Sequence, residues 1–391
     1  MVTSRKKIKI MIVGGTVRDM LIGRVPKDMD MLIASGSAKD FMAEFPEARP
    51  VGKSHEIFFL KGLEFSLPRK TGRNIEETVD LDLGARDFTV NSMALDENGE
   101  LYTHPNALED LMNRKLRPGF RESFRDDPLR VFRAATFLAR FPEFSAHAEL
   151  LHGMAEAAKS GWIKNIAPDR VGVELRKGLG GAKPGNFLRL LIKTGCLAYW
   201  FPELEKADSI PAGPEQYHDK SVAGHTAEIM DLTAGNPLTC WMAMCHDLGK
   251  MLTPAEHLPS HHGHDKAGAS PAVELGKRLL LPTRFIRAGE TAAQLHMKAG
   301  NYRELRPGTR VDLLMKLHVS GLLENMCELC RADRNADVLA SARDDLAEIL
   351  KVSLPLKDRN LGEKSGEKLR TLRASRLKSL TRGRNWQNLL K

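Results

Sequence analysis

The chain has 391 residues and carries 59 Lys and Arg against 50 Asp and Glu, a formal net charge of +9. That length exceeds what one hydrophobic core sustains, so two to four modules are expected, and no apolar run reaches the roughly 18 residues that cross a bilayer. The five cysteines, Cys196, Cys240, Cys245, Cys327 and Cys330, follow no disulfide-framework spacing, which excludes a disulfide-stapled secreted fold, and the positive excess suits a polyanionic partner.

The opening MVTSRKKIKIMIVGG has a basic head but an apolar part of about six residues, too short for a secretion signal. It reads as a first strand of a cytoplasmic protein. Up to about residue 118, the runs IKIMIV, MLIA, EIFFL, LEFSL and FTVNSMAL have strand character, with a helix at TVRDMLIG. The expectation is an α+β head with a small mixed sheet.

Within that head, Gly14 and Gly15 separate the first strand from the helix. Lacking Cβ atoms, they let backbone amides approach a ligand at a helix N-terminus that favours anions. A triphosphate fits there, with Arg18 one turn into the helix. Asp28 and Asp30 stand two apart at the mouth of MLIA, so both carboxylates face one way. Such a pair holds Mg2+ against substrate phosphates, where an attacking hydroxyl is activated and pyrophosphate steadied. Glu64, in LEFSL, is placed to add a third acid. The glycine turn and the aspartate pair are each common alone; together, within 17 residues, they are specific.

Beyond residue 118 the apolar spacing turns helical and stays so, predicting a long all-helical body. In DDPLRVFRAATFLARF (126–141), Asp127 can cap a helix whose first turn tolerates Pro128. Arg130 and Arg133, three apart, share a face, and a carboxylate with a planar guanidinium supplies the donors and acceptors that distinguish bases. The stretch 202–224, with its Pro and Gly, is the best internal boundary. After it, His246 and Asp247 end an apolar helix, with His225 21 residues earlier and His257, His261, His262 and His264 following, a cluster suited to a divalent transition metal. CELC at 327–330 is a lone CxxC in an apolar helical run and reads as core packing. The tail from Lys357 is basic, either a solvated helical face or an RNA-phosphate surface.

With these residues in place, VGGTVRDMLIGRVPKDMDMLI resembles the first motif of the bacterial tRNA nucleotidyltransferases, the CCA-adding enzymes, and of the related poly(A) polymerases. The likeness continues through ARDFTVNSMALDENG (85–99), DDPLRVFRAATFLARF and PDRVGVELRKGL (168–179), and more loosely to about residue 285. It implies Gly15 and Arg18 on the nucleotide, Asp28 and Asp30 as catalytic Mg2+ ligands, and Arg86 with Asp87 on the sugar. It further implies Asp127 and Arg130 on the base edge of CTP or ATP, and Arg133 on the nucleotide. YHDKSVAGHT and HLPSHHGHDKAG are similar to the HD-bearing CCA-adding enzymes of enterobacterial type. That likeness implies a metal on His225, His246 and Asp247 and phosphatase, nucleotidase and 2′,3′-cyclic phosphodiesterase activity.

The organisation implied is a catalytic head at 1–118, a helical nucleotide-selecting and RNA-binding neck at 119–205, an HD-type helical domain at 206–320 and a basic helical tRNA-binding region at 321–391. The implied activity is template-independent addition of C and A to the 3′ end of tRNA, the acceptor and T arm being the partner. Three departures from the family pattern stand out. Ala85 replaces the first Arg of an Arg-Arg-Asp motif. THPNALEDL (103–111) lacks the glycines of a flexible Asp-Pro-x-Gly-Gly segment. His296-Met297 stands where relatives have His-Asp, which is expected to remove a carboxylate from the HD site and weaken hydrolysis. The rivals are an A-adding or CC-adding specialist, a metal phosphohydrolase whose head merely binds nucleotide, and a catalytically silent RNA-binding protein. Poly(A) synthesis is disfavoured because no basic GRRF-like segment follows the first metal motif.

Overall fold

The computed structural model describes residues 8–26, 28–51, 57–216 and 219–389, with side chains described as far as residue 380. The basic leader at 1–7, Glu56 of EIFFL and the side chains at the end of the basic tail lie outside them. The chain divides into two compact units, Met1–Ala134 with Pro142–Asn165, and Ala135–Phe141 with Ile166–Lys391.

The first unit is built on a seven-stranded mixed sheet of β1 (Lys9–Val13), β2 (Asp30–Ser35), β3 (Arg49–Val51), β4 (Ile57–Leu60), β5 (Leu63–Ser66), β6 (Met93–Leu95) and β7 (Leu101–Thr103), in the order β3-β4-β5-β2-β1-β6-β7. Every neighbouring pair is antiparallel except β2 with β5. β1 and β2 are almost wholly apolar because both faces of the sheet are covered. On one face Met11, Val13, Leu32 and Ala34 pack with Val79 and Leu83 of the helix Ile75–Gly84. On the other, Phe41 of the helix Ala38–Glu44 meets Phe58 and Phe65 with ring centroids 5.1 Å apart in each pair.

FTVNSMAL is not one strand. Thr89–Asn91 forms a single 3-10 turn, in which Thr89 donates its hydroxyl to Asp110 and Asn91 its amide to Asp87, so only Met93–Leu95 joins the sheet. Side chains bonded across the fold here override a β-type run.

The second unit is helical. Its centre is the helix Pro237–Cys245, in which every residue from Leu238 onward is buried. Asn236 caps it by accepting from Thr239 N, and Pro237 occupies the first turn, where no backbone donor is needed. Trp241 Nε1 donates to Phe285 O at 2.7 Å, tying it to the helix Thr283–Gly300. Glu328 of the helix Leu323–Arg334 accepts from Thr239 Oγ1 at 2.6 Å and from Asn236 Nδ2 at 3.0 Å. Cys327 and Cys330 lie buried on that last helix, and burial pushes both thiols up, in keeping with core packing. Among the described residues, no helix is long and apolar enough to cross a membrane.

Candidate functional site

β1 runs straight into the helix Gly15–Leu21 through Gly14, whose φ of 72° lies in the left-handed region. A Cβ at Gly14 would stand 2.5 Å from Arg86 Nη1, so the turn needs glycine for its backbone and for the guanidinium beside it. The next residue but one fastens the acids. Thr16 Oγ1 donates to Asp28 O and accepts from Asp30 N, both at 3.1 Å. Asp30 opens β2 and lies in register with Glu64 of the parallel β5, so the two side chains share a face. Burial and the charge of Asp28 push the Asp30 carboxyl up, against the pull of Arg86 and Arg18; burial and the charges of Asp30 and Asp28 push Glu64 up. Crowded carboxylates of this kind suit a hard divalent cation. The three do not close on one point as the histidines of the second unit do.

Arginines surround these acids. Arg18 is buried and held by Asp19, at 2.9 and 2.7 Å, and by Asn91. Arg86 pairs with Asp82 at 2.9 Å. Asp87 is buried, and both of its oxygens are in use. Oδ1 accepts from Phe88 N and Asn91 Nδ2, and Oδ2 accepts from Arg133 Nε at 2.9 Å and from its Nη2. Burial alone would raise this carboxyl, but Arg133 and the hydrogen bonds hold it at about 2. Asp87 therefore anchors Arg133. Arg130 donates Nη1 to Ser123 Oγ at 2.8 Å and Nη2 to Ala85 O at 3.1 Å, over the Phe120 ring at 5.0 Å. Asp127 Oδ1 accepts from Leu129 N at 3.3 Å, capping the helix Arg130–Arg140. In THPNALEDL, Asn106 takes φ 66° and Asp110 is locked by Thr89 and Arg117, so a pinned helix start occupies the segment.

The second unit gathers a different set. His225, His246 and Asp247 form one group with three donor atoms within 4.8 Å of one another, and Asp247, His264 and His296 form another, sharing Asp247. His246 Nδ1 lies 2.7 Å from Ala243 O, His264 Nδ1 2.7 Å from His261 O, and His296 Nδ1 3.0 Å from Ala292 O. A ring nitrogen facing a carbonyl carries the proton, so all three Nε2 lone pairs turn inward. His246 Nε2 and Asp247 Oδ2 are buried 3.1 Å apart, with Lys250 Nζ 2.7 Å from the same oxygen. The residues fit a divalent metal. Asp333, from the helix Leu323–Arg334, stands 3.0 Å from His225 Nε2 and 3.8 Å from His246 Nε2. Burial would raise Asp247 and Asp333, but their histidine neighbours, joined at Asp247 by Lys250, hold both well below the usual carboxylate range.

Residues 10–117 match the poly A polymerase head domain, and 143–208 match a probable RNA and SrmB-binding site of polymerase A. The multifunctional CCA protein of Xanthomonas campestris pv. campestris (strain B100) is 34% identical over 351 residues, 84% of this chain and 85% of the relative. That of Laribacter hongkongensis (strain HLHK9) is 34% identical over 352 residues, 83% and 84% of the two chains. The chain belongs to the multifunctional CCA protein family. Among solved structures, a CCA-adding enzyme with CTP shares the fold at a TM-score of 0.64 and 19% identity, covering 95% of this chain and 87% of the other. The Thermotoga maritima CCA-adding enzyme complexed with tRNA does so at 0.64 and 21%, with the same coverages.

Within this family framework the structure corrects and extends the sequence reading. Met297 does not leave the histidine cluster without a second carboxylate, because Asp333 stands beside it from another helix. His264 and His296 belong to the cluster, whereas His257 and His262 are exposed and His261 is bonded to Thr253 and to Pro211 O. Thr16 was not singled out, although a hydroxyl two residues past a glycine turn is a local signal that could have marked it.

Proposed function

We propose that the chain adds C and A, without a template, to the 3′ end of tRNA from CTP and ATP with release of pyrophosphate. The observation that carries this is the Asp28 and Asp30 pair clasped by Thr16 beside the Gly14 turn, in a chain 34% identical to multifunctional CCA proteins over 84% of its length. Asp28 and Asp30, with Glu64 beside them, hold Mg2+, which offsets phosphate charge and favours the ionised form of the attacking hydroxyl. Gly15 and Arg18 receive the phosphates. Asp87 fixes Arg133, and Ser123 with Ala85 O fixes Arg130, so that these guanidiniums and Asp127 meet the incoming nucleotide already ordered. The helical body and basic tail bind tRNA by shape and backbone. A cytoplasmic location agrees with the five buried thiols.

The test is extension of tRNA lacking its terminal nucleotides with each triphosphate in turn. Addition of C, C and A alone is expected, with Asp28→Ala and Asp30→Ala inactive; incorporation of neither C nor A overturns the reading. A specialist is recognised by consuming only CTP or only ATP.

The inward-turned imidazoles favour a second activity. His225, His246, Asp247, His264, His296 and Asp333 hold one or two transition-metal ions, and the second unit hydrolyses phosphate esters. Loss of phosphoesterase activity in His246→Ala, with nucleotide addition intact, is the outcome expected.

A further inference from the structure

The metal-type cluster opens on a cavity of about 910 Å³ lined by Asp247, Lys250, His264, His296, Met297, Asn301, Asp333 and Arg334, among others. Two cations reach it, and they differ in how far their charge is used. Lys250 is buried, with Nζ 2.7 Å from Asp247 Oδ2 and 2.7 Å from Ala212 O, so it belongs to the frame. Arg334 is placed otherwise. Its stem lies against Gly300, where a Cβ would come within 2.7 Å of Arg334 Cδ, so glycine makes the room. Its Nη2 donates to Met297 Sδ at 2.7 Å and its Nη1 to Asn301 Oδ1 at 3.3 Å, and its carboxylate neighbour, Asp333 Oδ2, is 3.4 Å from Nε. A thioether is a weak acceptor and an amide oxygen a neutral one, while a guanidinium offers five N–H donors. Asp333 is itself drawn to His225. Arg334 thus has its two terminal nitrogens on neutral partners, is one third exposed, and lines the cavity onto which the metal-type cluster opens.

We propose that Arg334 is a phosphate-binding residue of this cavity, and that Met297 keeps it available by giving the guanidinium a neutral partner. A carboxylate at 297 would take the Nη2 donor that an incoming phosphoryl oxygen uses, because an ionised acceptor outcompetes a thioether. This deepens the second activity above and rests on it. The arginine engages the oxygens turned away from the imidazoles, in the bidentate manner guanidiniums favour.

The experiment uses the full chain loaded with Mn2+, with metal content measured directly and inorganic phosphate titrated by calorimetry. The wild-type protein is expected to retain metal and bind phosphate. R334Q is expected to keep its metal and thermal midpoint while binding phosphate at least tenfold more weakly. M297D keeps the arginine but gives it a carboxylate, and is expected to weaken phosphate to a similar extent with metal retained. Phosphate affinity unchanged in R334Q, or unchanged or tighter in M297D, overturns the proposal, as does loss of metal from R334Q, which would make Arg334 a support for the ligands. If R334Q does not fold, M297D decides. A wild-type chain that holds no metal overturns the phosphohydrolase reading itself, and the metal measurement shows that separately from any phosphate result.

Discussion

His264 and His296 face each other with Nε2 atoms 3.2 Å apart, while each Nδ1 lies against a backbone carbonyl. Both lone pairs therefore point into the same gap, which repels unless a cation lies nearby. Burial and the neighbouring His246 push His296 down to about 4, so its own Nε2 is unprotonated near neutral pH. Divalent metal is expected to raise the thermal midpoint of the chelator-treated protein, by about 2.7 kcal/mol of stability at a hundredfold excess over its dissociation constant. Asp333→Asn and His264→Ala are each expected to lower metal content. A midpoint indifferent to metal and chelator alike would show that the imidazoles are only a packing arrangement.

The two acid clusters belong to different compact units, so their activities are expected to separate. Asp28→Asn or Asp30→Asn removes a ligand that opposes phosphate charge, an effect of several kcal/mol, so nucleotide addition is expected to fall on the order of 10³-fold or more. The same variants leave metal content at the histidines unchanged. His246→Ala and Asp247→Ala reverse the pattern. Loss of tRNA extension in the histidine variant, with the fold intact by circular dichroism, would contradict two independent centres.

Local chemistry was legible in the sequence and long-range assembly was not. The glycine turn, the Asp28 and Asp30 pair, the adjacent His246 and Asp247 and the change to helical spacing near residue 118 all lie within a few turns of chain, where spacing is a direct record of geometry. Asp333 joins the histidines from 86 residues beyond Asp247, on a helix brought there by Glu328, Thr239 and Asn236, and no local spacing connects it to them. The expectation that Met297 costs the site a carboxylate did not reckon with Asp333 for that reason. Asp87 is similar. Its place beside Arg86 was visible, but its commitment to Arg133, 46 residues on, is a tertiary fact. β3 and β7, three residues each, are too short to carry an alternation.

Gly14 gives a sharper test of the head. At φ 72° and ψ −133° an alanine is strained by about 1 to 3 kcal/mol, and its Cβ would press on Arg86 Nη1. A guanidinium tip can move, so the fold survives, but Arg86 shifts from Asp82 and from the phosphate turn. Gly14→Ala is expected to lower stability modestly and to raise KM for CTP and ATP together, with KM for tRNA unchanged. Unaltered nucleotide constants would mean that the turn does not shape the nucleotide site.

Asp87 makes the head acid-sensitive in a defined window. Its carboxyl, held at about 2 in the folded chain, has an ordinary value near 3.9 when unfolded, so the unfolded state binds the more protons as pH falls. Its contribution is complete above about pH 5, declines as pH drops below about 4, and is gone below about 2. That difference corresponds to on the order of 2 to 3 kcal/mol, trimmed by screening because the Arg133 side chain is 45% exposed. Asp87→Asn removes the titrating group, so between pH 6 and pH 2.5 the wild-type protein is expected to lose about 1 to 2 kcal/mol more than the variant in urea unfolding. The same substitution releases Arg133 and is expected to raise KM for nucleotide at neutral pH. Equal acid losses in the two proteins would show that the ion pair with Arg133 does not stabilise the head, and the proposed ordering of Arg133 by Asp87 would fall with it.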